Sequence, residues 1–254
     1  MKLTAYVVNL KRRPDRKEKF LKNYSGIFGI ENPYIPLVIS EAVDGSLSST
    51  DFSKEPLIEL VSEDTSEYSN NLRVKATILS HLQVYKKIVD NGDDYGLIFE
   101  DDINFGPYLD TFFENPKVLL ELKRLKEFRE PFIIYTGTGD FLPIHTNAPS
   151  ESMLRAQEKA HAISIKGPNG PYKYFGVPNM KSSYVFSWLG SFSYMITKET
   201  ANFLLEEAAK NPINKAIDVW LSEKNKIYVT IPLLCYHNSL QDPNYDSDVL
   251  EKKI

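Results

Sequence analysis

Tyr95-Gly96-Leu97-Ile98-Phe99-Glu100-Asp101-Asp102 passes from an apolar run straight into three adjacent acids. The run predicts a fully buried strand of the kind found in sheets covered by helices. The acids then fall at the strand's C-terminal end, where α/β sheets bind their ligands. Just upstream, Ile78, Leu79, Leu82, Tyr85, Ile88 and Val89 recur at spacings of three and four, so the stretch from Thr77 to Val89 predicts a helix with one apolar stripe. Asn91-Gly92 supplies its stop.

Working outward, the same alternation continues. Leu3 to Leu10 predicts a strand and Arg16 to Tyr24 a helix. Tyr34 to Ile39 predicts a second strand running toward the turn residues Asp44-Gly45, and the chain from there to Asn71 is expected to be irregular. Downstream, a long charged helix is predicted from Tyr108 to Phe128, then a strand from Phe132 to Thr136 ending in a turn at Gly137-Thr138-Gly139. Pro143 to Ser183 is rich in Gly, Pro, Asn and Lys and predicts a long excursion over one end of the sheet, the sort of segment that serves as a lid or acceptor loop. Ser191 to Ile196 and Ile227 to Ile231 read as strands, Lys198 to Ala209 and Ala216 to Ser222 as helices. The expectation is an α/β chain in which residues 1–254 form a single domain, with a mixed, twisted sheet flanked by helices.

Composition narrows the function. A chain of 254 residues that is 42% hydrophobic can bury a full core, and its net charge of −4 supplies no positive field for nucleic acid. Cys235 is the single cysteine, which excludes an internal disulfide and a cysteine-rich zinc site and fits a reducing compartment. Lys11, Arg12 and Arg13 follow the first apolar run too soon for a secretory leader. No run approaches the roughly 20 apolar residues that span a bilayer. A cytoplasmic location is expected, with any membrane contact peripheral.

Three adjacent acids repel one another unless a cation or hydrogen bonds offset the charge. A hard divalent ion, Mg²⁺ or Mn²⁺, suits such oxygen donors and keeps positions open for substrate phosphates. The alternative is a solvated acidic turn.

Neighbouring motifs bear on that choice. Leu79-Ser80-His81, the helix around it, and Leu97-Ile98-Phe99-Glu100-Asp101-Asp102 resemble the signature of glycosyltransferase family 25, the lipopolysaccharide and procollagen galactosyltransferase type, in spacing and in residue type. Val8-Asn9-Leu10 with Arg13-Pro14-Asp15-Arg16 resembles that family's first-strand motif, and Ala42-Val43-Asp44-Gly45 also matches. Trp188 to Tyr194, Pro212 with Asp218, and Pro232, Gln241 and Ser247-Asp248 are similar to its later segments. One departure stands out. Arg73-Val74-Lys75-Ala76-Thr77 replaces the family's Gly-Glu-x-Gly-Cys, which puts the donor contact made there in doubt; Arg73 or Lys75 either meets phosphate or solvates the helix start.

The resemblance implies a GT-A-like fold, a UDP-sugar donor (galactose or glucose), Mn²⁺ or Mg²⁺ as cofactor, and an acceptor hydroxyl on a glycan or a collagen-like hydroxylysine. By the same resemblance Asp102 is the first choice for metal ligation, Glu100 or Asp101 lies nearer the nucleotide, with Asp101 also a candidate ligand, and Asn9, Arg13 and Arg16 contact nucleotide or phosphate. Arginine suits that last task through bidentate bonding, although Arg13 and Arg16 could instead pair with surface acids such as Glu18. His237 is a further candidate ligand, with Asp246 and Asp248 as competitors and a backbone-satisfied histidine as the alternative. The family's inverting chemistry calls for a carboxylate base, for which Asp218 is the candidate; otherwise Asp218 caps its helix. His81 is expected to pack or hydrogen-bond near the site, and Trp188 and Tyr194 line either a sugar pocket or the core. Two other classes compete: a sugar-nucleotide-binding scaffold without turnover, and a metal-dependent phosphohydrolase.

Overall fold

The computed structural model describes residues 1–29, 35–46, 50–63, 72–106, 109–127, 130–138, 161–167, 170–177, 191–231 and 234–236. Its elements follow in the order β1 (Leu3–Leu10), α1 (Pro14–Phe28), β2 (Leu37–Ala42), α2 (Leu72–Asn91), β3 (Tyr95–Glu100), β4 (Asn104–Phe105), α3 (Leu109–Glu114), α4 (Pro116–Lys126), β5 (Phe132–Thr138), β6 (His161–Gly167), β7 (Gly170–Val177), β8 (Ser193–Thr197), α5 (Lys198–Lys210), α6 (Ile217–Lys224), β9 (Lys226–Ile231) and β10 (Cys235–Tyr236).

Side chains alternate across a strand, so each strand feeds both faces of the sheet. Ala5 and Val7 of β1, Leu97 and Phe99 of β3 and Met195 of β8 meet Phe20 and Tyr24 of α1, Phe112 of α3 and Leu122 and Leu125 of α4. Tyr6, Ile98 and Tyr194, one position out of step, face α2, where Ile78, Leu79, Leu82, Tyr85 and Ile88 are fully buried, together with Ala201 and Leu204 of α5. Each large apolar side chain removed from water contributes about 1.5–3 kcal/mol. The strands are therefore apolar on both sides because helices cover both sides, as the run before Glu100 predicts.

The sheet follows the path β2-β1-β3-β8-β5-β9-β7-β6, with β10 pairing β4 and β5 off that path. β1 runs parallel to β2 and β3, and β5 parallel to β9, while β8 runs against both β3 and β5. The expected mixed α/β sheet flanked by helices is what forms. Because β8 is reversed, its N-terminal end lies beside the C-terminal end of β3.

Several boundaries differ from expectation for identifiable reasons. The charged stretch predicted as one helix is two, because Pro116 lacks an N–H and takes the first position of α4, while the Asn115 side chain caps it by accepting from the Lys117 N–H at 3.0 Å. α1 begins at Pro14, whose fixed φ suits a first turn. β2 overlaps the predicted Tyr34 to Ile39 strand but is shifted toward the C-terminus, pairing with β1 from Leu37 to Ala42. α2 starts at Leu72, ahead of the predicted Thr77, so Arg73 to Thr77 forms its opening turns. Gly137 lies inside β5 at a bulge and not in a turn; a Cβ there would sit 2.9 Å from the Cys235 Cβ, so glycine lets β10 pair alongside. Within the predicted excursion from Pro143 to Ser183, β6 and β7 pair antiparallel and β7 joins β9, so the described part of this segment extends the sheet.

Candidate active site

Asn9 is the penultimate residue of β1 and Glu100 ends β3, with Val8 and Glu100 in register. Asp101 and Asp102 follow at once. The parity that sorts the core also splits the triplet. Asp101 turns toward β1 and α1, where Asn9 Nδ2 donates to its Oδ2 at 2.6 Å and Arg16 Nη1 to its Oδ1 at 3.2 Å. The same Arg16 nitrogen donates to Asp102 Oδ2 at 3.2 Å, so one guanidinium holds both carboxylates. Burial first, and then the adjacent Asp102 charge, raise the Asp101 carboxyl to about 6 against the pull of Arg16 and Asn9.

Glu100 turns the other way. Ser191 Oγ donates to its Oε1 at 2.5 Å, and His81 Nε2 lies 3.6 Å from the same oxygen. The main chain reinforces the placement, since the Glu100 N–H donates to the Phe192 carbonyl at 2.9 Å. Ser191 lies within the family-like stretch Trp188 to Tyr194 without being singled out there; it enters the site because β8 runs beside β3, a pairing that local sequence does not encode.

Asp218 stands in the first turn of α6, and its Oδ1 accepts from the Val219 N–H at 2.8 Å. It does not cap the helix: Ala216 holds that position without a side-chain bond, which corrects the capping alternative. The Asp218 carboxyl is raised, chiefly by burial and further by the Glu100 charge, with the Val219 N–H and His81 opposing. A half-buried carboxylate with raised proton affinity has the character of a general base.

Arg13 is directed to Asp15, donating through Nε at 3.1 Å and Nη2 at 2.8 Å, and this pairing lowers the Asp15 carboxyl to about 2. Arg13 thus pairs with a surface acid, as in the alternative reading, with Asp15 in the place of Glu18, whereas Arg16 engages the more buried Asp101–Asp102 pair. Gly45 abuts α2: a Cβ would lie 2.4 Å from the Leu72 carbonyl oxygen, so only glycine allows the loop after β2 to lie against the helix start. There Lys75 Nζ donates to the Glu63 carbonyl at 3.0 Å. Tyr194 is fully buried between His81 and Tyr85, which assigns it to the core and not to a pocket wall. His237, Trp188, Asp246 and Asp248 lie outside the described residues.

Among the described residues, no group of three or more His, Cys, Asp or Glu side chains could by itself hold a metal ion. The Asp101 and Asp102 carboxylates are oxygen donors of the type that Mg²⁺ and Mn²⁺ take, and here Asn9 and Arg16 donate to both Asp101 oxygens. No helix among the described residues is long and apolar enough to cross a membrane.

Residues 2–221 match the sequence family described as glycosyltransferase family 25 (LPS biosynthesis protein). The chain is 32% identical over 103 residues to human procollagen galactosyltransferase 2, covering 39% of this chain and 16% of that protein. It is 29% identical over 104 residues to human inactive glycosyltransferase 25 family member 3, covering 40% and 16%. The matched stretch is thus a small part of either relative. A solved structure of mannose-1-phosphate geranyltransferase from Thermus thermophilus aligns over 90% of this chain and 73% of its own at 14% identity, with a TM-score of 0.38, too low to establish a shared fold.

Proposed function

Since the chain belongs to glycosyltransferase family 25, we propose that it is a metal-dependent, inverting glycosyltransferase that moves a hexose, galactose or glucose, from a UDP-sugar to an acceptor hydroxyl on a glycan or a hydroxylysine. The observation that carries this reading is the clustering of Asp101 and Asp102 on one Arg16 guanidinium at the C-terminal end of β3, an arrangement that costs charge repulsion and offers oxygen donors. Asp102 and Asp101 would hold Mn²⁺ or Mg²⁺, which when bound supplies positive charge for the departing diphosphate. Asn9 and Arg16 line the nucleotide side, and Arg13 lies at the start of α1 within the same motif.

In an inverting transfer the acceptor oxygen attacks the anomeric carbon from the face opposite the leaving diphosphate. The new C–O bond forms as the bond to UDP breaks, and a carboxylate takes the hydroxyl proton. Asp218 fills that role in this chain. Its raised proton affinity brings it closer to working pH than an ordinary aspartate, and the Glu100 charge acts on it in the same direction.

A second reading is a sugar-nucleotide-binding protein without turnover. Its support is the segment Arg73 to Thr77, which is ordinary helix with Lys75 bonded to Glu63, together with a relative named as inactive.

Thermal shifts with UDP, GDP, CDP and UDP-hexoses, each with and without Mn²⁺, separate these readings when paired with a transfer assay. A Mn²⁺-dependent shift with UDP ligands is expected, and Asp102→Asn should abolish it. Asp218→Asn should keep the shift while transfer falls by roughly 10²-fold or more. Shifts without any transfer favour the binding protein; no shift with any nucleotide refutes both.

A further inference from the structure

His81 is completely buried in α2, yet its two ring nitrogens are treated very differently. Nδ1 lies 2.6 Å from the Tyr194 hydroxyl, which lies 2.7 Å from the Tyr85 hydroxyl. Nε2 has no hydrogen-bond partner, and Glu100 Oε1 stands 3.6 Å from it, just beyond bonding distance. A buried polar atom left in this way is costly unless something is gained from it.

The proton positions follow from elementary electrostatics. If Nε2 carried a lone pair, that pair would point at a carboxylate oxygen in a low-dielectric interior, which is repulsive. With hydrogen on Nε2, a single consistent direction satisfies the rest of the chain: the Tyr85 hydroxyl donates to the Tyr194 oxygen, and the Tyr194 hydroxyl donates to His81 Nδ1. Tyr85 and Tyr194 keep their protons, because burial raises both far from ionisation. Every donor in the series then points toward Glu100, whose same oxygen also receives the Ser191 hydroxyl.

We propose that His81 is a positioning residue of the transfer site, locked by Tyr194 and Tyr85 in the Nε2–H form so that it holds the Glu100 carboxylate in place beside Ser191. The orphaned N–H is what makes the arrangement adjustable: a movement of a few tenths of an ångström closes the 3.6 Å gap to a hydrogen bond when ligand draws Glu100 inward. His81 touches no reacting atom. It acts through Glu100, and this inference rests on the transferase reading for its catalytic consequence.

The test has two arms, so that its failure can be told apart from failure of the transferase reading. In the first, ¹⁵N-histidine NMR of the full chain reads the tautomer of His81, identified among the four histidines by its loss in His81→Gln. An Nε2–H signature is expected; an Nδ1–H ring overturns the inference whatever the chain catalyses. In the second, His81→Gln, which puts an N–H near the Nε2 position, is compared with His81→Asn, which reaches only the Nδ1 position. With UDP-galactose or UDP-glucose, Mn²⁺ and a hydroxylysine peptide or lipooligosaccharide as acceptor, His81→Asn should lower kcat on the order of 10²-fold with donor KM little changed, the scale of a misplaced group. His81→Gln should restore most of kcat. Equal kcat in both variants, or losses that follow melting temperature alone, overturns the positioning role. A wild-type chain with the Nε2–H signature and no transfer sinks the transferase reading, and the catalytic half of this inference with it.

Discussion

The two ends of β3 each bury an aspartate, and they treat it in opposite ways. At the N-terminal end, Asp93 is 1% exposed and well supplied: Thr4 Oγ1 donates at 2.9 Å, the Tyr6 hydroxyl donates through a short bond, and Lys2 Nζ lies 2.9 Å away. Asn91 in turn donates to the Tyr6 oxygen at 2.9 Å. At the C-terminal end, Asp101 and Asp102 share Arg16, and Asp101 is pushed up to about 6. The first carboxylate is held by Thr4, Tyr6 and Lys2; the second pair shares the Arg16 guanidinium, with Asn9 also donating to Asp101. The N-terminal acid is matched to its donors, whereas the C-terminal pair keeps a like-charge repulsion that raises Asp101.

Stripping Asp93 should have the largest effect. Asp93→Ala leaves the Thr4 and Tyr6 hydroxyls buried without their acceptor and should cost about 4 kcal/mol in urea unfolding, the scale of breaking a buried charged network. A variant as stable as the parent would erase the contrast between the two ends.

A smaller change, of opposite sign, is expected at the other end. The Asp101 carboxyl rises from 3.8 in the unfolded chain to about 6 when folded, so the folded chain binds more protons across that window. Its contribution to stability therefore falls as pH rises from about 4 to 6, by up to about 3 kcal/mol. Asp101→Asn, compared with the parent in EDTA, should gain stability relative to it between about pH 4 and 7, with donor binding lost. A difference that stays flat with pH would mean that Arg16 and Asn9 neutralise the crowding completely.

The acid triplet and its strand were legible because an apolar run before three acids has few other readings in an α/β chain. The stripe of α2 was legible for the same reason: its spacing reports which side meets the sheet. The split of the charged helix into α3 and α4 was also available, since Asn115-Pro116 carries a capping residue and a helix-starting proline. By contrast, nothing local distinguishes Arg13 from Arg16. Both stand near the start of α1, and only the helix's placement against β3 turns Arg16 toward Asp101 and Asp102 and leaves Arg13 with Asp15.

By itself the sequence determined the alternation of strands and helices, the burial of β3 on both faces and the delivery of Glu100, Asp101 and Asp102 to its end, because periodicity and turn chemistry act over a few residues. Only the tertiary structure decided what each acid meets. Strand order brings Asn9 and Arg16 to Asp101, and Ser191 and His81 to Glu100, from well separated parts of the chain. The Ser191 contact depends on β8 running antiparallel beside β3, a packing choice set by the whole core and not by any one segment.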